Sequence, residues 1–261
     1  MALRLSSGLR NYMLQHGSLT DALGGGVLKI YSGSQPASAD AAITGSLIAI
    51  ITEGSGTHTA EVLPQGILTL SGTTSGSLDT LTVGGISIIS QVHTYDTSFT
   101  VTAANIAADI NATSTSPDYT ATSSGAVVTI TGLRGVGATA NALAIAETAT
   151  TLTAVADATL GTTTAGVTAV NGLNFGTAAA GVLSKLSTQT WSGVASATLT
   201  AGYYRFYGSV VDAGGLDSAE AEIRLDGSIA TSGGELNMSS TSITSGATQT
   251  VSSFAITLPT S

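Results

Sequence analysis

Three histidines, His16, His58 and His93, and one acidic run, Asp212, Asp217, Glu220, Glu222 and Asp226, are the side chains of this sequence best suited to metal or acid–base chemistry. Glu61 follows His58 and Asp96 follows His93 at three residues, a spacing that shares a face only on a helix, and both segments read as strand or loop. The histidines are therefore expected at the surface or at a helix end, and no metal ligand is assigned. Ca²⁺ favours oxygens like those of the acidic run, but the run lacks the alternating Asp/Asn pattern closed by a Glu that a calcium loop uses. It reads as a solvated loop and strand edge. Glu220 and Glu222 would lie about 7 Å apart on one face of a strand, in the manner of a glycosidase pair. Only Tyr203, Tyr204 and Tyr207 stand near enough in sequence to offer a sugar platform.

Nucleophile and nucleotide signals are weaker still. Serine is abundant, yet no G-x-S-x-G elbow occurs. Gly135-Val136-Gly137-Ala138-Thr139-Ala140 matches the relaxed pattern G-x-G-x-x-A, with Asp157 about 20 residues further on. No crossover helix or second parallel strand is legible after it, so no nucleotide site is assigned. Asn111-Ala112-Thr113 and Asn237-Met238-Ser239 match glycosylation sequons, which matter only in a secreted eukaryotic setting. The expectation is a chain that is not an enzyme, with no catalytic residue and no cofactor.

Composition explains why chemistry is so thinly spread. Charged residues make up 9% of the chain, against about 25% in an ordinary soluble domain, and Ser, Thr, Ala and Gly take their place. No stretch is long or apolar enough to cross a bilayer, and the amphipathic opening from Ala2 to His16 lacks the apolar core of a signal peptide. Seven Lys+Arg against sixteen Asp+Glu leave a net charge of −9, which opposes binding to nucleic acid or an anionic membrane. The bases never cluster. With no cysteine there is no disulfide framework.

The elements that would position these residues are mostly strands. A short helix is expected at the start, where Leu5, Leu9 and Tyr12 or Met13 recur on one face. Val27 to Tyr31, Ser46 to Thr52 and Glu61 to Leu70 read as strands, with Pro64 confining the last to an edge or a strand beginning. Ser71 to Ser77 reads as a small-polar connector. Beyond it, strands are expected at Leu81 to Ile89, Ser98 to Val101, Asp118 to Thr122 and Ala126 to Thr131, with apolar runs at Leu143 to Glu147 and Leu152 to Ala156. Thr102 is placed to cap a helix from Ala103 to Asn111. After Val170 come Trp191, a strand at Tyr203 to Tyr207 with Tyr204 and Phe206 on one face and Tyr203, Arg205 and Tyr207 on the other, a strand ending at the turn pair Asp226-Gly227, and an alternation of Phe254, Ile256 and Leu258 up to Pro259. The fold class is thus mainly β: an antiparallel sandwich or jelly-roll domain of residues 1–70 and 170–261, with a short N-terminal helix and an inserted small α+β module at 71–169.

Two stretches carry a resemblance. Gly26-Val27-Leu28-Lys29-Ile30-Tyr31 through Ala42, and Trp191-Ser192-Gly193-Val194 through Tyr203-Tyr204-Arg205-Phe206-Tyr207-Gly208, resemble a family of tailed-bacteriophage virion structural proteins. Val83-Gly84-Gly85-Ile86 and the Ala-rich Ala103 to Asn111 are similar to a module recurring in phage structural chains. The resemblance implies a non-enzymatic virion component located at the capsid surface, a head decoration or cement protein, partnered by the major capsid protein or other virion proteins and by its own copies. A receptor-binding fibre or adhesin and a tail-tube or connector subunit stand as alternatives. Neither nucleic acid nor membrane is an expected partner. Leu5, Leu9, Tyr12, Met13, Tyr203, Arg205 and Tyr207 are the candidate interface residues. Lys29 and Lys185 are read as the few guards of otherwise unprotected strand edges.

Overall fold

The computed structural model describes residues 3–214 and 222–257. The chain is mainly β, with 44% strand against 13% helix, and its antiparallel sheets include a curled half-barrel, an organisation consistent with a β-sandwich. It divides into two compact units, Met1–Glu61 with Ala169–Ser261, and Val62–Thr168.

In the first unit one sheet runs, edge to edge, through Arg4–Leu5, Arg224–Ala230, Leu199–Tyr207, Val27–Ser32, Leu47–Glu53, Trp191–Val194 and Thr248–Val251, each antiparallel to its neighbours. Alternation along the strand Leu199–Tyr207 sends Tyr204 and Phe206 to one face, where they join Trp191, Phe175 and Phe254 with ring centroids 5.4 to 6.2 Å apart. Offset and edge-on contacts of this kind add to the burial of large apolar area. Asp226-Gly227 does not end its strand, contrary to the turn expected there. Tyr204 lies opposite Gly227, where a Cβ would fall 2.4 Å from the Tyr204 hydroxyl, so glycine is what lets the ring lie across the neighbouring strand. The N-terminal helix Ser7–Gln15 starts at Ser6, whose hydroxyl accepts from Leu9 N at 3.1 Å and from Arg224 N at 3.1 Å. That one side chain caps the helix and pins it to the sheet. Leu9 and Tyr12 are buried, as a docked apolar face requires.

The second unit wraps a six-stranded sheet around the helix Phe99–Ala112. Its long strand Gln65–Val83 runs straight through Ser71 to Ser77, so the expected connector is strand. Gly72 and Gly76, at φ +89° and +98°, bend it there, and the partner strand Ile145–Ala156 bends opposite them at Thr151, φ +72°. Small polar residues suit a sharply coiled strand as well as a linker, and the sequence could not separate the two. The same bend explains why two apolar runs were legible where one strand exists. Leu68, Leu70, Leu78, Leu81 and Val83 from the two arms meet Ala103, Ile106, Ala107 and Ile110 of the helix. Ser98 to Val101 is the helix's cap and first turn rather than a strand: Ser98 Oγ accepts from Val101 N, and Thr102 Oγ1 bonds back to Ser98 O. Val and Thr there carry strand propensity that packing against the sheet overrides.

The hairpin Tyr119–Ser124 and Val127–Gly132 turns at Gly125 and leaves its first strand at the sheet edge. Asn111 guards that edge. Its side-chain amide donates to Ala121 O at 2.9 Å and accepts from Ala121 N at 2.8 Å, as a neighbouring strand would. Asn111→Ala should lower the stability of the chain by about 1 kcal/mol and expose a pairing edge. Urea denaturation and concentration-dependent light scattering will show a lowered midpoint together with new self-association.

Candidate functional site

Strand register lays a row of charge across the sheet face opposite the aromatic core. Arg4 stands opposite Asp226, Asp226 opposite Arg205, Arg205 opposite Lys29, and Lys29 opposite Ile50. Arg205 and Asp226 form a two-pronged ion pair, Nε to Oδ1 at 2.7 Å and Nη2 to Oδ2 at 2.8 Å, with side chains 3% and 0% exposed. Burial pushes the Asp226 carboxyl up, and the Arg205 guanidinium opposes it. Arg224, facing the same side, grips Asp212 with two bonds of 2.7 Å and reaches Glu222 at 3.0 Å. Among the described residues of the acidic run, Asp212, Glu222 and Asp226 are not a solvated edge but neutralise two buried arginines, while Asp217 and Glu220 lie outside the described residues. Glu222 is committed to Arg224, and a glycosidase pair gains no support from it.

Lys29 is the base this arrangement leaves over. Its strand is paired on both sides, so it does not guard an edge. Its ammonium sits 4.5 Å from the centre of the Tyr207 ring, and the described residues give it no hydrogen bond or ion pair, because Asp212 is already held by Arg224. Burial pushes the Lys29 ammonium down, partly offset by the charge of Asp212. Burial likewise raises the Tyr207 phenol, which shares a 3.1 Å bond with the Tyr31 hydroxyl. Tyr31 in turn stacks on Tyr203 at 5.2 Å. Lys185, the other expected edge guard, is also engaged: it donates to Gln189 O at 2.6 Å and lies 5.8 Å from the Trp191 ring.

Above Lys29 opens a cleft of about 680 Å³. Val27, Lys29, Ile50 and Thr52 form part of its lining together with Val194, the segment 55–58 and the stretches 207–208 and 210–212. Ile50, Val194 and Val211 are 41%, 54% and 72% exposed, so three aliphatic side chains of one cleft remain in water. The cleft falls in the size range of ligand sites, which combine apolar walls with a few polar groups. His58 also lines it, with Nε2 bonded to Gly25 O at 3.0 Å.

Of the seven residues expected at an interface, Leu9, Tyr12, Tyr203 and Arg205 are buried within the chain and unavailable to a partner. Leu5, Met13 and Tyr207 are half-buried, and of these only Tyr207 reaches the cleft. Tyr203 to Phe206 are buried on both faces of their strand, which alternation alone does not reveal. Lys29, Ile50, Val194 and Val211 were the residues sequence reasoning missed. A lysine between Val27 and Tyr31 on one strand face was the available signal.

In the second unit Asp109 ties the segment Ser90 to His93 to its own helix and that helix's C-cap, Thr113. It accepts from Ser90 Oγ at 2.5 Å, Ser90 N at 3.0 Å and Thr113 Oγ1 at 3.2 Å, and bonds His93 Nε2 at 2.8 Å. These are the residue types of a nucleophilic triad, but the carboxylate stands between the serine and the histidine, so the imidazole is not placed to take the serine proton. His93 is 7% exposed, not the surface histidine expected, and Asp109 rather than Asp96 is its partner. Asp109 lies on the buried face of its helix with Ile106 and Ile110, and an acid in an apolar stripe was the legible signal. His16 caps the C-terminus of its helix against Tyr12. No group of three or more His, Cys, Asp or Glu suited to a metal occurs among the described residues. The glycines of Gly135 to Ala140 lead into a single 3₁₀ turn, Gly137–Ala140, rather than a helix that could face a pyrophosphate.

Comparison of the chain with protein-family models, curated proteins and solved structures found no match.

Two outcomes follow from these ion pairs. Asp226→Asn strands the Arg205 charge in the interior and should lower unfolding stability by about 3–5 kcal/mol, measured by urea denaturation. At Asp109 burial alone would raise the carboxyl, but hydrogen bonds from Ser90 and His93 outweigh it and hold it below the ordinary range. A depressed carboxylate contributes stability that is complete above its unfolded value of about 4 and is lost as pH falls through the folded value. Wild type should therefore lose this increment as pH falls below about 4, whereas Asp109→Asn, lacking it throughout, should show a flatter profile.

Proposed function

We propose that this chain is a non-enzymatic structural component of a tailed-phage virion, a capsid decoration or cement protein that seats its lysine-floored cleft on shell subunits or on its own copies. The observation that carries the reading is the exposure of Ile50, Val194 and Val211 around one cleft, an apolar surface of the kind that marks contact sites. Of the titratable groups beside it, His58 is bonded to a backbone carbonyl and Asp212 is held by Arg224. Five of the seven bases, Lys29, Arg134, Lys185, Arg205 and Arg224, are buried or held against aromatic rings, which removes most of the cationic surface that nucleic acid would need. A contact built from Ser, Thr, Ala and Val immobilises little rotamer entropy, and many copies multiply weak contacts into firm attachment.

Gradient-purified particles give the test. The chain should co-sediment with virions, and Ile50→Asp with Val194→Asp should reduce its occupancy roughly tenfold, or about 1.4 kcal/mol, while its thermal melt is retained. Recovery only from lysate, never with particles, would sink the reading.

A further inference from the structure

The row Arg4, Asp226, Arg205, Lys29 is a ledger of charge with one position open. Arg205 has Asp226, and Arg224 has Asp212 and Glu222. Arg4 donates to Pro36 O. Lys29, half-buried on the same face, lines the aliphatic cleft together with the Tyr207 ring. An ammonium carries three donors and strongly prefers a charged acceptor once desolvated. The carboxylate whose charge acts on it, Asp212, has Oδ1 bonded to Arg224 and Gly214 N, and Oδ2 bonded to Arg224. Within the chain, Lys29 has nothing left to pair with among the described residues.

We propose that the cleft receives an extended segment of a partner protein whose aliphatic side chains cover Ile50, Val194 and Val211 and whose Asp or Glu carboxylate pairs with Lys29. The occupant follows from complementarity on both counts. An apolar segment without a charge would bury the ammonium beneath it unpaired, which is costly. An acid without aliphatic neighbours would leave three exposed side chains in water. A segment with both closes the charge row and dries the cleft. Burial holds the Lys29 ammonium below its ordinary value, and a carboxylate seated beside it would restore that value. This assignment rests on reading the cleft as an assembly contact, and it adds the chemistry of the surface the cleft meets.

The test uses the full chain with two peptides, acetyl-LVEVL-amide and its twin with Gln in place of Glu, followed by methyl NMR of Ile50, Val194 and Val211. The Glu peptide should shift these methyls and bind about tenfold more tightly than the Gln twin, at the low end of coupling for a desolvated charge pair. Lys29→Met should abolish that difference while leaving the aliphatic contribution. Lys29→Glu should invert it in favour of a Lys peptide. Equal binding of the two peptides, or none, overturns the proposal. So does Lys29-dependent binding of decanoate without peptide binding, which would make the cleft a site for small amphiphilic acids. Absence of the chain from particles would remove the virion reading and leave the peptide result standing, so the two failures are distinguishable.

Discussion

Arg205 and Asp226 meet where almost no water reaches either, on adjacent strands both of whose faces are covered. A guanidinium in that position must be neutralised by a carboxylate opposite it, or the strand cannot be buried. The pair therefore specifies register. A slip of one residue would turn Arg205 into the aromatic cluster of Trp191, Phe206 and Phe254 and bring Phe206 out to Asp226. Stability of the sheet comes mainly from the aromatic side. The ionic side fixes which residue faces which.

The same economy takes part of a small stock of charge into the interior. Arg205, Arg224, Asp212, Glu222 and Asp226 are used inside the first unit, and Asp109 inside the second. The surface presents Ser, Thr, Ala and scattered aliphatics, three of which, Ile50, Val194 and Val211, line the cleft above Lys29. Edges are handled with similar economy of charge. Asn111 imitates a strand against Ala121, and a two-residue strand, Arg4–Leu5, closes one end of the larger sheet. Neither device is visible as the Lys or Pro that usually marks a protected edge.

Local patterns were read well where the signal lies within a few residues. The faces of Tyr203 to Tyr207, the hairpin about Gly125 and the N-terminal helix with Leu9 and Tyr12 inward all follow from period and turn chemistry. Signals failed where two structures share one composition. Ser71 to Ser77 suits a linker and a coiled strand alike, and Asp226-Gly227 suits a hairpin turn as well as a strand crossed by a tyrosine ring. The candidate site is nearly illegible in sequence: Lys29 is visible as a lone base in a strand, but nothing local tells that strands pair on both of its sides.

By itself the sequence determined the β character, the low charge and the side of each strand on which a residue stands, because backbone geometry alternates whatever surrounds it. Tertiary structure alone decided which sides are covered and which acid serves which base. Asp226 lies 21 residues from Arg205, and Tyr207 reaches Lys29 only because their strands are neighbours. Desolvation and Coulomb attraction depend on distance in space, and the chain sets that distance only after its strands have found their order.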